Sequence, residues 1–518
     1  MATQNATSAT TPPYDLARAP RFLIIGAGHR GNNYARAIKT STNGIVAAVA
    51  DPFTYKRESL AKTYGIPPSL CFGDWKEILR PESQAALQAA GGIDGVLICT
   101  LDQTHAEIAI ALIPLGWHVL IEKPLATTYE DCLKIQAAVE RANCIFAIGH
   151  VLRYSPHNRL LHRLLTEDKI VGDIVAIEHK EPVGWYHFSH SFVRGNWHKE
   201  ADSGPSILTK CCHDLDVLLW LLCSPKPFDP ADPSTRAHLP SSVYSTGYLA
   251  HFNKRNKPKD ATDNCTTCPT SVERSCMYSA KKIYIENPSG MIGGFNMRWP
   301  VNVVYPEVQD DPGDALSKKS ELLKRLAEGP YGRCVYDGHN DVVDNQVVVM
   351  SWDGSDADGG TRCPKTATLT MTAFSNAICE RKTVVYGTKG ELHSDTSWPS
   401  TTLPQRDNGR REPQTSLHSI SFTDPRASWV THSPGPADLS SGHGGGDTGL
   451  TKAFVEAVEA VKVYGWDVSK AQRDHIGAGI DEAVRAHGLA WCAEESRKSG
   501  ERKDWSQWDA QQRKSYDI

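Results

Sequence analysis

Between residues 21 and 150, short apolar runs alternate with stretches of helical spacing. RFLII (21–25) leads into the helix-compatible NNYARAIK, and IVAAVA (45–50), GVLICT (95–100), HVLIE (118–122) and CIFAIGH (144–150) repeat the theme. HAEIAIALIPLG (105–116) reads as a helix between two of them. A further helix opens at Thr128 as N-cap, with Asp131 three residues on and Cys132, Ile135 and Val139 at helical spacing. Strand–helix alternation of this length predicts a parallel, doubly wound α/β sheet. Beyond residue 150 the period changes. IVAIEHKEPVG (174–184), SSVYSTGYLAHF (241–252), QVVVMSW (346–352), ATLTMTAF (367–374), RKTVVYG (381–387) and SISFT (419–423) alternate like half-buried strands without helices between most of them. That predicts an α+β region built on an open, mainly antiparallel sheet. Residues 395–448, rich in Pro, Ser, Thr and Gly, predict a long surface excursion. Residues 449–497 return to a helical pattern, interrupted near Tyr464-Gly465-Trp466.

The first strand runs into Gly26, Gly28 and Gly31, a G-x-G-x-x-G loop that also carries His29 and Arg30. The second strand ends in Asp51, 20 residues beyond Gly31. Glycines in this context allow a tight turn, close approach of the backbone to a pyrophosphate, and close helix–strand packing. The acid suits the adenosine ribose hydroxyls. A carboxylate there repels a 2′-phosphate, so NAD is favoured over NADP. Ligands of such sheets bind beyond the carboxyl ends of the strands, which singles out Thr100–His105, Glu122-Lys123-Pro124 and His150–Arg153. The organisation expected is a disordered tail over 1–20, a dinucleotide-binding Rossmann domain over 21–150, and an α+β domain over 151–500. A cysteine-rich insertion falls near 255–340 and a C-terminal tail over 501–518.

In ILTKCCHDLDVLLWLL (207–222), Leu208, Cys212, Leu215, Leu219 and Leu222 form one apolar helical face. Thr209, His213, Asp216 and Trp220 form the adjacent stripe, and Lys210 stands three residues before His213. The adjacent cysteines point about 100° apart on a helix and make neither a disulfide nor a chelate together.

GxGxxG, the strand ending in Asp51, TLDQTHAEIAIALIPLGWHVLIEKPLA and GHVLRYSP together resemble the Gfo/Idh/MocA family of oxidoreductases, the glucose–fructose oxidoreductase and inositol dehydrogenase group. The resemblance implies an N-terminal NAD(P)-binding domain and a C-terminal sheet often used for homo-oligomerisation. It implies sugars, sugar derivatives or cyclitols as substrates. It also implies cofactor contacts from Gly26, Gly28, His29, Arg30, Gly31, Asp51, Thr100, His105, Glu122 and Lys123. In the family a helix at 207–222 carries an Asp and, four residues later, a His that acts on the substrate hydroxyl with help from the EKP lysine. His213 matches the His, and Thr209 stands where the Asp is expected. The implied chemistry has His213 removing the hydroxyl proton and Lys123, with Lys210, stabilising the oxyanion. Arg153, Tyr154, Trp185, Arg194, Asn196, Trp197 and His198 are candidates for the substrate pocket, and His443 and Asp447 in GHGGGDTG could also reach it. Two other readings share this site: an NAD-dependent lyase or glycoside-cleaving enzyme using transient oxidation, and a non-catalytic NAD-sensing binding protein.

The 518-residue chain carries a net charge of −4 with 22% charged residues. It shows no basic bias toward nucleic acid and no apolar run approaching the ~18 residues of a membrane span. The first 20 residues lack a signal-peptide core, so a cytosolic location is expected and the 14 cysteines are expected as thiols or metal ligands. Cys265, Cys268 and Cys276, spaced C-x2-C-x7-C, with Cys334 or His339 as a fourth ligand, predict a structural zinc site.

Overall fold

A computed structural model describes residues 18–223, 236–286, 297–354, 362–396, 416–424, 426–434 and 442–516. The tail over 1–17 and the segments 397–415 and 435–441 of the predicted excursion lie outside them. Six strands, β1 (Arg21–Ile25), β2 (Ile45–Ala50), β3 (Cys71–Phe72), β4 (Gly95–Ile98), β5 (His118–Ile121) and β6 (Phe146–Ile148), form one parallel sheet in the order β3-β2-β1-β4-β5-β6. The side chains of β1, β4 and β5 are almost wholly buried. The reason is that helices cover both faces. They are α1 (His29–Ser41), α2 (Thr54–Tyr64), α3 (Pro81–Ala89), α4 (His105–Leu112) and α5 (Tyr129–Ala142). Thr128 caps α5 as expected, accepting from the Asp131 amide. The strand order reverses between β1 and β4, which opens a crevice at their carboxyl ends.

The second sheet has nine strands in the order β14-β13-β12-β11-β7-β10-β9-β8-β15. They are β7 (Ile174–Pro182), β8 (Ser242–Tyr248), β9 (Asn345–Trp352), β10 (Lys365–Thr372), β11 (Lys382–Gly387), β12 (Gly390–Asp395), β13 (Ser416–Ser421), β14 (Val430–His432) and β15 (Lys503–Asp504). Among the described strands of this sheet, only β7 and β10 pair in parallel. Along β9 every second residue is buried, because α6 (Ser206–Leu222) and α7 (Ile480–Ser499) cover one face. The other face exposes Tyr244, Tyr248 and Tyr386.

Two elements differ from the sequence reading. Every residue of α6 except Trp220 is buried. It is packed between the second sheet, α7 and the segment that follows β6, so its polar stripe is inside rather than at a margin. Residues 503–515, expected within a tail, form β15 and a helix, α8 (Trp505–Ser515). Trp505 and Trp508 are buried, stacked on each other, and Tyr129 donates to Asp509.

The helix Ala315–Glu328 of the insertion contributes Leu322 and Leu326 to a small apolar core with Tyr186, Ile283, Tyr284, Val301 and Val308, separate from the main one.

Truncating Trp505 to alanine should cost about 3–5 kcal/mol of unfolding free energy, measured by urea denaturation. A loss below about 1 kcal/mol would show that α8 is a loosely held appendage. Burial pushes His157 down to about 4, and His190 and His487 down to about 3. As pH falls through the usual imidazole value, the unfolded chain takes up protons that these folded rings refuse until about pH 3–4. Each ring therefore removes up to about 1.4 kcal/mol of stability per pH unit in that window. Thermal midpoints should fall steadily as pH is lowered from about 7.5 to about 5, and a flat profile would contradict the burial of these rings.

Candidate functional site

β1 delivers the glycine loop to the crevice. Gly26 has φ +92°, and a Cβ there would sit 2.5 Å from the Cys99 carbonyl oxygen. A Cβ on Gly31 would sit 2.0 Å from the Gly26 oxygen. These two glycines are required by packing. Gly28, the residue before α1, has nothing within 4 Å of its added Cβ. It leaves an open cradle at a helix N-terminus, the environment a pyrophosphate needs. Asp51 is buried at the end of β2, its carboxylate accepting from the Ala27 amide at 2.7 Å and the Phe53 amide at 2.8 Å. Each oxygen keeps a lone pair for a ribose hydroxyl. This loop therefore fits the adenosine side of a dinucleotide.

Other residues expected to touch the cofactor instead hold the loop in place. Arg30 donates to Glu122 at 2.6 Å, to Asp447 at 2.8 Å and to the Tyr34 hydroxyl. His443 pairs with Asp447 at 2.8 Å. Burial would raise the Glu122 carboxyl, but Arg30 and Tyr34 bring it below its ordinary value. The buried His105 ring bridges the Pro124 and Thr100 carbonyls, and Thr104 donates to the Thr100 hydroxyl. His29 is exposed at the start of α1.

β5 delivers Lys123 to the same crevice. Its ammonium donates to the Thr209 carbonyl at 2.7 Å, one turn before His213 on α6, and lies 5.8 Å from the Trp197 ring. Trp197 donates to Asp102 at 2.6 Å. Asp102 is raised by burial, against the opposing pull of His105, Lys123 and Trp197. Thr209 thus supplies a backbone acceptor to the lysine, while its hydroxyl donates to the Pro205 carbonyl.

Around His213 the structure assembles groups not assigned from the sequence. Arg381 Nη2 lies 2.8 Å from His213 Nε2, and Arg381 Nε donates to Asp214 at 2.5 Å. His179 pairs with Asp214 at 3.0 Å. Glu181 lies 2.9 Å from Lys210 Nζ and 3.1 Å from Arg381 Nε, without hydrogen-bonding angles, and acts as a counter-ion. Lys210 also lies 2.9 Å from the Cys379 sulfur, which is 3.5 Å from His187 Nδ1. Burial alone would lower Lys210, but Cys379 and Glu181 raise it above an ordinary lysine. Its charge is committed to these partners rather than to the substrate oxyanion expected of it. The sequence did carry a signal for the missed residues: His179 and Glu181 share the inward parity of Ile177 on β7, and charged residues at inward strand positions need partners.

Three pocket candidates, Arg153, Tyr154 and Arg194, are placed elsewhere. Arg153 is buried in ion pairs with Asp216 and Glu482, and Tyr154 donates to the Ile476 carbonyl. Arg194 donates to the Arg333 and Tyr278 carbonyls and to the Cys265 sulfur. It anchors the insertion because its guanidinium is buried among that segment's carbonyls. Trp185 packs edge-on against Tyr186 and Tyr278. Asn196 is exposed, and His198 binds the Gly195 carbonyl.

All 14 cysteines are free. Cys265, Cys268, Cys276 and Cys334 line one small cavity. Among the described residues, however, only His150, Cys212 and His487 bring three donor atoms within 4.8 Å of one another. The four thiols are gathered but do not stand at mutual ligand distance, and the insertion rests on its own apolar core. In the His150 group, both nitrogens of His487 are engaged, with the Leu125 amide and the Ala483 carbonyl.

Residues 20–150 match the sequence profile of the Gfo/Idh/MocA oxidoreductases, described as an NAD-binding Rossmann fold. Over these residues the chain is similar to that family. Inositol 2-dehydrogenase of Rhizobium meliloti (strain 1021) is 28% identical over 167 residues, 31% of this chain and 46% of its own. The 2,7-anhydro-N-acetylneuraminate hydratase of Escherichia coli (strain K12) is 26% identical over 201 residues, 39% of this chain and 49% of its own. The chain spans about half the length of the curated relatives it matches. Levoglucosan dehydrogenase, solved with NADH and levoglucosan, superposes with a TM-score of 0.56 at 16% identity, covering 94% of this chain and 99% of that one. The fold is thus shared with that dehydrogenase structure. No described helix is long and apolar enough to cross a membrane.

Gly28→Val should weaken NAD binding at least about tenfold by filling the cradle, with an unchanged thermal midpoint, because the added side chain starts in open space. Gly31→Ala should instead lower the midpoint. Calorimetric titration beside thermal melts separates the two, and unaltered NAD affinity in Gly28→Val would remove the cradle assignment.

Proposed function

We propose that the protein is an NAD-dependent oxidoreductase acting on a CH–OH carbon of a sugar, sugar derivative or cyclitol. The observation that carries this reading is the meeting of Lys123 and the His213 helix beside the glycine-loop crevice. The glycine loop and Asp51 would hold the dinucleotide, whose nicotinamide supplies the hydride acceptor. Lys123 offers a polar contact to a substrate oxygen, and Trp197 an aromatic face for a polyhydroxylated ring. The inositol and levoglucosan dehydrogenases named above support this substrate class, and the acid at Asp51 supports NAD over NADP. A homo-oligomer formed through the exposed apolar face of the second sheet fits the same reading.

A second reading has a specific motive. Thr209 stands where an acid is expected, and one relative is a hydratase. Transient oxidation followed by elimination or hydration would then regenerate the cofactor.

Purified protein is assayed with NAD+ against a panel containing myo-inositol, levoglucosan and anhydro-sugars, followed by both NADH absorbance and product mass. Net NADH supports the oxidoreductase, with Lys123→Met lowering kcat/KM by about 10²–10⁴. Product without net NADH selects the second reading. NAD binding with no turnover across the panel overturns both and leaves a binding protein.

A further inference from the structure

The tautomer of His213 is fixed by a neighbour that can only donate. Arg381 Nη2 lies 2.8 Å from His213 Nε2. A guanidinium carries five N–H donors, has no acceptor, and is not deprotonated in proteins. The contact is therefore Arg381 donating into the Nε2 lone pair. Asp214 Oδ2, at 3.3 Å from the same nitrogen, is the alternative partner. Arg381 holds the shorter contact and itself reaches that carboxylate. The ring proton is left on Nδ1, which is buried and has no hydrogen-bond partner among the described residues. A buried donor without an acceptor marks a place where a ligand oxygen belongs.

The surroundings keep the ring singly protonated. Burial disfavours the imidazolium most, Arg381, Lys123 and Lys210 add to that, and Asp214 opposes. Glu181 and His179, from β7, face Arg381 and Asp214 rather than the open nitrogen.

We propose that Arg381 is a positioning residue that holds His213 as a neutral Nδ1–H donor to the ligand oxygen. The ligand class rests on the oxidoreductase reading, and the tautomer does not. In this role His213 keeps its proton and hydrogen-bonds the ligand oxygen through Nδ1–H. A neutral imidazole can polarise an oxygen in this way without becoming an imidazolium. The proton removal expected of His213 from the sequence does not fit this tautomer, because Nε2 is occupied by Arg381 and Nδ1 already carries the ring proton.

The test uses full-length protein labelled with 15N-histidine, with His213 assigned by the signals lost in His213→Asn. Long-range 1H–15N spectra from about pH 5.5 to about 8.5 should show a protonated Nδ1 and a bare Nε2 for this ring throughout. A proton on Nε2, or an imidazolium forming in that range, overturns the proposal. Arg381→Met should mix the tautomers or let the ring titrate, and Arg381→Lys, also donor-only, should restore the wild-type pattern. Should Arg381→Met fail to fold, the wild-type spectrum alone decides. The expected tautomer in a protein that oxidises nothing in the myo-inositol and levoglucosan assay retires the oxidoreductase reading and leaves the Arg381 assignment standing. The reversed tautomer in an active enzyme retires the Arg381 assignment alone.

Discussion

A helix buried on every side cannot carry unpaired charge, and α6 carries a lysine, a histidine and two aspartates. This constraint organises the centre of the molecule. Each charged group on α6 recruits a partner from another element. Asp216 takes Arg153 and His150 from the segment after β6. Asp214 takes His179 from β7 and Arg381 beside β11. Lys210 takes Glu181. The two flanks of the helix are thereby tied to different parts of the chain, the first sheet's trailing segment on one side and the second sheet on the other. Removing one partner would leave a buried charge uncompensated, which costs about 3–5 kcal/mol. The same pairing makes the site rigid, since the ring of His213 has no freedom to turn while Arg381 is held by two carboxylates.

Much of the fold is legible in the sequence because it rests on local periodicity. The strands of the first sheet are continuous apolar runs, and the glycine spacing places the loop between β1 and α1. The alternation in β7, β9 and β10 announces a sheet covered on one face. What the sequence conceals is pairing across large separations. Nothing near His213 in the chain points to Arg381, 168 residues away. Arg153 and Arg194 look like pocket residues because arginine suits a sugar, and burial redirects both to carbonyls and carboxylates of the scaffold. The amphipathic reading of α6 misses its polar side for the same reason: periodicity reports two faces but not whether a second body covers the polar one. The segment after residue 501 is polar enough to read as a tail, and its two tryptophans become informative only once β8 and α5 supply a surface for them.

The cysteine-rich insertion shows a related limit. Its spacing is compatible with a closed metal site, yet the segment owns an apolar core from Tyr284, Leu322 and Leu326, and Arg194 reaches into it from the main domain. Those contacts account for its order through packing and hydrogen bonding to backbone carbonyls. The sulfur of Cys265 takes part as an acceptor from a guanidinium.

The arginine inside the glycine loop has a consequence for modularity. Arg30 joins Glu122 at the end of β5 to Asp447, which lies 417 residues further along the chain in the helix Gly446–Tyr464. The nucleotide cradle is therefore not a property of the first domain alone. A sequence profile can recognise residues 20–150 as a unit of descent, but the loop's charge balance is completed by the far end of the protein. Recombination that exchanged this domain between relatives would have to exchange the partner of Arg30 with it, so the two segments are expected to evolve as one unit despite their distance in sequence.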